Sequence, residues 1–166
     1  CQMQVAWLND QQPLLSVFVA DGAGSVSQGG EGAMLAVNEA MAYMSQKMQG
    51  GELGLNDVLA TDIVLTIRQR LFAEAEAKEL AVRDFACTFL GLISSANGTL
   101  IMQIGDGGVD NSPHVPFFTP FFNGLASATQ EQLDLLPELL KQFLSSPAVN
   151  ERTEDDKTLA LALWLP

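Results

Sequence analysis

The sequence has few of the residues that build nitrogen- and sulfur-based sites. It contains two cysteines, Cys1 and Cys87, and one histidine, His114. Two cysteines form no disulfide framework, and with one histidine they are too few for a tetrahedral zinc site. Cys87 lies in the apolar stretch 85–90, where we interpret it as a small core residue.

Basic residues are also scarce. Eight Lys and Arg stand against 20 Asp and Glu, which gives a formal net charge of −12 at pH 7. Nucleic acids are bound by clustered cations, and anionic membrane surfaces attract polybasic segments. We therefore expect neither as a partner, and we interpret the acidic excess mainly as a solubility feature.

Long apolar runs are absent as well. The run at residues 14–20 (LLSVFVA) is far shorter than the ~18 residues that span a bilayer, and no signal-peptide pattern opens the chain. We expect a soluble protein located in the cytoplasm. The chain begins with Cys1 and enters a strand-like pattern at once, so we also expect it to be part of a longer polypeptide.

Hydrophobic periodicity predicts a single α+β domain over residues 1–166. Predicted strands lie at residues 2–8, 14–20, 85–94, 99–104 and 158–165, and predicted helices at 33–48, about 58–78, around the Phe cluster at 117–122, and at 130–144. Asn97-Gly98 is a strong hairpin signal. Because strands come in hairpins and helices are clustered, layers with antiparallel sheets are favoured over a βαβ sheet.

Three acidic positions share one context, since each lies at the end of a predicted strand. Asp21 and Asp106 follow such strands, and Asp155 with Asp156 precedes one. Carboxylates gathered at one sheet edge repel each other unless a cation neutralises them, and oxygen-only ligands suit Mg²⁺, Mn²⁺ or Ca²⁺. The simpler alternative is that these residues only form turns.

The glycine-rich loop at residues 21–32 (DGAGSVSQGGEG) permits close approach of backbone to a metal or phosphate. It is no Walker loop, because no Gly-Lys-Ser/Thr follows, and Ser27 stands where a dinucleotide fingerprint needs its third Gly. We interpret His114 as structural. Ser25 and Ser27 have no His nearby in sequence, which disfavours a serine hydrolase. A plain connector is the alternative.

Three motifs, in this order, resemble those of the PP2C-type (PPM family) metal-dependent protein phosphatases, bacterial members most of all. Residues 19–24 (VADGAG), followed by a helix, resemble the D-G-x-G motif. Residues 86–90 (ACTFL) and 103–106 (QIGD) resemble paired strands that end in Gly-Asp. Residues 153–158 (TEDDKT), followed by LALAL, resemble the terminal D-N/D-x-T motif. Together the motifs span nearly the whole chain.

The resemblance implies a sandwich of two antiparallel β-sheets flanked by helix pairs, with a metal cluster at one end. It implies that Asp21 bridges two Mn²⁺ or Mg²⁺ ions and that Gly22 offers its carbonyl oxygen. Asp155 becomes the terminal metal ligand, with Asp156 in the Asn-like position, and Asp106 belongs to an additional, weaker site. Asp21 and Asp155 are the implied catalytic residues.

The implied reaction is hydrolysis of phosphoserine and phosphothreonine in proteins by a metal-activated water, without a covalent phospho-enzyme. The implied partner is a phosphoprotein substrate in a Ser/Thr kinase signalling pathway.

The sequence departs from the family pattern at three places. An early Asp is missing, since only Met3 lies near its spacing, and we expect that ligand in an N-terminal stretch outside this chain. A middle segment with a further Asp-Gly pair is missing, so either the domain is naturally shortened or residues are absent at about 109–110. Ala23 replaces a His that many relatives carry. The missing first and middle Asp motivate one alternative, an inactive PP2C-like binding or regulatory module. A third possibility is an unrelated α+β domain with ordinary strand-end turns.

Overall fold

The computed structural model describes residues 2–8, 12–49, 53–106, 115–151 and Leu159. The chain divides into two compact units, Cys1–Val109 and Asp110–Pro166, and the single domain stays a prediction. Several sequence predictions fall outside the described residues: His114, Asp155, Asp156 and, apart from Leu159, the strand at 158–165.

The first unit contains a four-stranded antiparallel sheet of order β1-β2-β3-β4. Its strands are β1 (Gln2–Leu8), β2 (Gln12–Val19), β3 (Phe89–Ser95) and β4 (Gly98–Ile104). Both predicted hairpins are present, β1–β2 and β3–β4, and the α+β class with antiparallel strands is confirmed. The part of the chain that the structure describes holds this one sheet, so a second sheet stays a prediction.

Two helices of the first unit connect the hairpins. They are α1 (Gly29–Met48) and α2 (Asp57–Ala77). The sequence offers Asn56 or Asp57 as the cap of α2, and the structure uses Asn56, whose Oδ1 accepts hydrogen bonds from the N–H groups of Val58 and Leu59, both at 3.1 Å. Helix α1 begins four residues before the predicted start, inside the glycine-rich loop. Gly32 of this loop lets the helix pack closely against the backbone of Phe85.

The predicted strand at 85–94 is wrong at its first residues. Val82–Phe85 forms a 3₁₀ helix, and β3 begins only at Phe89. Phe85 is fully buried against Leu35 and Ala75, so its apolar side chain serves a helix interface rather than the sheet. The stretch therefore has an apolar composition that fits either structure, and tertiary packing decides between them.

Helices α1 and α2 cover one face of the sheet. Phe18 of β2 and Phe89 of β3 stack there with ring centroids 5.7 Å apart. The same core contains Met44 of α1 and Ile63 of α2, both fully buried. On the opposite face Val19 and Leu90 are only half-buried.

The second unit consists of helices in its described part. They are α3 (Val115–Ser127), α4 (Gln130–Leu144) and α5 (Pro147–Asn150). Helix α4 spans the predicted range, and Thr129 caps it by accepting a hydrogen bond from Gln132 N–H. Phe121 and Phe143 meet edge to face at 5.3 Å. Within the described residues, no helix combines the length and apolar character needed to cross a membrane.

Candidate metal centre

Two of the predicted acidic residues lie at the same edge of the sheet. Strands β2 and β4 are both antiparallel to β3, which lies between them. They therefore run in the same direction and end at one edge. Asp21 follows β2 and Asp106 follows β4, and both are exposed. Thr88 directly precedes β3 at this edge, between the two chain segments.

Thr88 contacts both segments. Its N–H donates to the carbonyl oxygen of Asp21 at 2.8 Å, and its Oγ1 accepts a hydrogen bond from Asp21 N–H at 3.2 Å. On the other side, a Cβ added to Gly105 would lie 2.8 Å from Thr88 Cγ2. One threonine thus spaces the Asp21 loop from the Gly105-Asp106 turn.

The loop after β2 continues the pairing beyond the sheet itself. Gly22 forms an isolated antiparallel bridge with Cys87, and Ala23 N–H donates to the carbonyl oxygen of Ala86 at 2.9 Å. The backbone of Asp21 is therefore fixed on both sides, while its carboxylate is exposed to solvent. A ligand that binds at this carboxylate meets a preorganised backbone.

Glycine is required at two positions beside the carboxylates. A Cβ added to Gly22 would lie 2.2 Å from the carbonyl carbon of Gly29, so the loop packs directly on the first turn of α1. Gly105 has φ of +94°, a conformation that side chains other than glycine rarely adopt. Close packing at Gly22 and a positive φ at Gly105 therefore require these glycines, beyond the general preference of turns for glycine.

The negative charge of Asp21 affects the pKa of the Cys87 thiol. Burial raises the pKa of the Cys87 thiol above its ordinary value of 9.0, and the nearby negative charge of Asp21 raises this pKa further. The carboxylate thus acts electrostatically on the partly buried segment that pairs with its loop.

The match to known proteins covers the first unit. Residues 1–110 match the family described as protein phosphatase 2C. The chain belongs to the protein phosphatase 2C family. It is also similar to serine/threonine-protein phosphatase 3 of Escherichia coli (strain K12), with 69% identity over 226 residues that cover 99% of this chain and 89% of the relative. No solved structure showed significant similarity. The predicted membership in this phosphatase family is confirmed.

The relative is longer than this chain within the aligned region. The alignment spans 226 positions, whereas the chain has 166 residues, so about 60 positions of the relative lie opposite gaps in this chain. That these positions fall in a middle segment near residues 109–110 stays a prediction.

The donors at the sheet edge fit a hard divalent cation in chemical type. Asp21 and Asp106 offer carboxylate oxygens, and Mg²⁺ in proteins is commonly held by one or two carboxylates together with waters. Neither carboxylate forms an ion pair within the described ranges. Those ranges contain no group of three or more His, Cys, Asp or Glu side chains placed to hold a metal, and Asp155 lies outside them.

Thr88 lies at the candidate site but was not predicted from the sequence. It appeared in the phosphatase motif ACTFL only as part of a strand. The signal in the sequence was a hydroxyl-bearing residue near the start of the hairpin that ends in Gly105-Asp106. A hydroxyl there can reach the neighbouring backbone, which an apolar β-branched residue cannot.

Proposed function

We propose that this chain hydrolyses phosphoserine and phosphothreonine monoesters in proteins, with Mn²⁺ or Mg²⁺ as cofactor. Asp21, the carbonyl oxygen of Gly22, Asp106 and Asp155 would hold the ions. The observation that supports the proposal best is the position of Asp21 and Asp106 at one sheet edge, with Thr88 between them. Family membership and the name of the Escherichia coli relative support the reaction class.

Each residue has a distinct task in this proposal. Asp21 supplies an exposed carboxylate on a backbone that Thr88 holds with two hydrogen bonds. Gly22 lets the loop lie against the first turn of α1, and its carbonyl oxygen would be a further ligand. Asp155 completes the carboxylate set, and Asp21 and Asp155 are the two residues that catalysis needs most.

The bound ions would lower the pKa of a water molecule and neutralise charge that develops on the phosphoryl oxygens. Ala23 carries no titratable group, so this position supplies no proton to the leaving group. The exposed carboxylates leave the edge open to a protein substrate.

The first test is turnover of para-nitrophenyl phosphate and of a phosphothreonine peptide, with the full chain and Mn²⁺. We expect activity that chelation by EDTA abolishes and that Asp21→Asn and Asp155→Asn reduce at least about a hundredfold, because a lost ligand removes charge stabilisation in the transition state. The matched control is Asp134→Asn, an exposed aspartate on α4 of the second unit. Equal activity in all three variants would reject these residue roles.

One alternative is supported by a specific observation. The described residues hold two of the proposed carboxylates but no three-ligand group, and about 60 aligned positions of the relative have no counterpart here. An inactive phosphatase-like module that binds or regulates a phosphoprotein would have these properties. Calorimetric titration with Mn²⁺ separates the two functions: saturable binding that Asp21→Asn weakens favours the enzyme, and no heat of binding favours the module.

A further inference from the structure

A cavity lies in the first unit, on the helix-covered side of the sheet. It has a volume of about 280 Å³ and is lined by residues of α2, the 3₁₀ helix, the start of β3 and the end of β4. Its deepest walls are apolar and belong to the core, since Phe85 is 0% exposed and Phe89 is 3% exposed. Leu71 of α2 and Ile104 of β4 also line it.

Two arginines also line this cavity, and both are exposed. They are Arg68 of α2 and Arg83 of the 3₁₀ helix. In the part of the chain that the structure describes, carboxylates pair with Arg70 and Lys78, whereas neither Arg68 nor Arg83 forms an ion pair. Arg68 instead lies over the ring of Phe72, with its Cζ atom 5.3 Å from the centroid. Within the described residues, two arginines without a carboxylate partner thus line one cavity, in a chain with 20 acids and 8 bases.

We propose that this cavity binds a small amphipathic anion, namely a carboxylate with a single short apolar tail. The tail would contact the apolar walls, and the carboxylate would contact the guanidinium groups of Arg68 and Arg83. Arginine is the residue best suited to planar, two-pronged binding of a carboxylate. The volume lies just below the usual range for drug-sized ligands, which favours a short tail.

The cavity adjoins the loop of Asp21 through the backbone. Ala86 and Cys87 line it, and the same two residues pair with Ala23 and Gly22. A ligand in the cavity therefore contacts the segment that holds the metal-site loop. We expect the backbone amide of Ala23 to report on binding, with or without turnover.

Octanoate is the probe for the test, titrated calorimetrically into the full chain. We expect saturable binding that weakens from octanoate to hexanoate to butyrate by roughly fourfold for each methylene removed. The double variant Arg68→Gln with Arg83→Gln should weaken octanoate binding by roughly tenfold or more. The neutral probe 1-hexanol and inorganic phosphate should each bind much more weakly than hexanoate. The alcohol lacks the carboxylate, and phosphate lacks the apolar tail.

Matched control variants exist for both halves of the site. Arg70→Gln alters the same helix at an arginine that does not line the cavity, and it should leave octanoate affinity unchanged. Ile104→Thr should weaken binding severalfold, whereas Ile101→Thr should not. Both isoleucines are exposed positions of β4, so neither substitution threatens the fold, but only Ile104 lines the cavity.

Three results would overturn the proposal: no saturable binding of octanoate, equal affinity for butyrate and octanoate, or equal effects of the Arg68/Arg83 and Arg70 substitutions. The Ala23 amide signal in a two-dimensional NMR spectrum gives an independent readout, and an unchanged Ala23 signal under saturating octanoate would reject the link to the loop. None of these measurements requires hydrolysis. A failed phosphatase assay and a failed binding experiment are therefore separate outcomes.

Discussion

Thr88 binds both the carbonyl oxygen and the N–H group of Asp21. Its N–H donates to the carbonyl oxygen of Asp21 at 2.8 Å, and its Oγ1 accepts from Asp21 N–H at 3.2 Å. The methyl group of the same side chain fills the space where Gly105 has no Cβ. The hydroxyl and the methyl of one residue thus set the spacing between two carboxylate-bearing segments.

Replacing Thr88 with Val keeps the shape of the side chain and removes the hydroxyl. We expect Mn²⁺ affinity to fall about fivefold, because one hydrogen bond that positions Asp21 contributes about 1 kcal/mol. Titration calorimetry measures the affinity, and urea unfolding checks that the fold remains. Thr88→Ser is the control, since it keeps the hydroxyl. Equal affinity in both variants would mean that the hydroxyl does not position Asp21.

The sequence predicted the strands and helices of the first unit well, because their apolar patterns are regular and Asn56 and Asn97-Gly98 mark a helix start and a hairpin. It also predicted that Asp21 and Asp106 lie at strand ends. The sequence alone did not reveal that Phe85 leaves the strand, because a fully buried Phe suits a helix interface as well as a sheet. The bridging contacts of Thr88 join residues 67 positions apart, a relation that no local pattern contains.

Two glycines of helix α1 should respond oppositely to alanine. A Cβ at Gly32 would lie 2.1 Å from the carbonyl oxygen of Phe85, whereas a Cβ at Gly30 meets nothing within 4 Å. We expect Gly32→Ala to lower the free energy of unfolding by roughly 1–3 kcal/mol through overpacking. Gly30→Ala should raise it by up to about 1 kcal/mol, because alanine loses less backbone entropy.

Urea unfolding monitored by circular dichroism measures both glycine variants against the parent chain. The two positions lie on one helix turn, so helix propensity alone predicts the same sign for both. A stabilised Gly32→Ala variant would therefore show that α1 does not pack against the backbone of Phe85 as described.

The ion pairs of Glu74 in the last turns of α2 should give an acid-dependent stability. Glu74 binds Arg70 at 2.8 Å and Lys78 at 3.4 Å, and the hydrogen bond from Arg70 is the main cause that lowers the pKa of Glu74 below 4.5. A lowered carboxyl pKa contributes stability that is fully present above pH 4.5 and is lost as the pH falls through the folded-state pKa.

Glu74→Gln removes this contribution at neutral pH. We expect the melting temperature of the parent chain to exceed that of the variant at pH 6, and the difference to shrink as the pH falls from 4.5 towards 3. Differential scanning calorimetry at low salt measures it, since salt screens exposed pairs. A difference that stays constant across this pH range would contradict the role of Glu74 ionisation.

The electrostatic relation between Cys87 and Asp21 gives a test of the site that needs no metal. Burial is the larger cause of the raised Cys87 thiol pKa, and the charge of Asp21 adds to it. Asp21→Asn removes only the second cause. We therefore expect the Cys87 thiol pKa to fall in the variant while staying above 9.0, because burial still disfavours the thiolate.

Thiolate absorbance at 240 nm, followed from pH 7 to pH 11, measures this pKa in a Cys1→Ser background, so that Cys87 is the remaining thiol. The rate of alkylation by iodoacetamide at pH 8.5 should rise in Asp21→Asn, since the thiolate is the reactive form. Asp134→Asn serves again as the control and should change neither quantity. Because Gly22 pairs with Cys87, an unchanged thiol pKa in Asp21→Asn would mean that the carboxylate points away from the paired segment and that the described loop geometry is wrong.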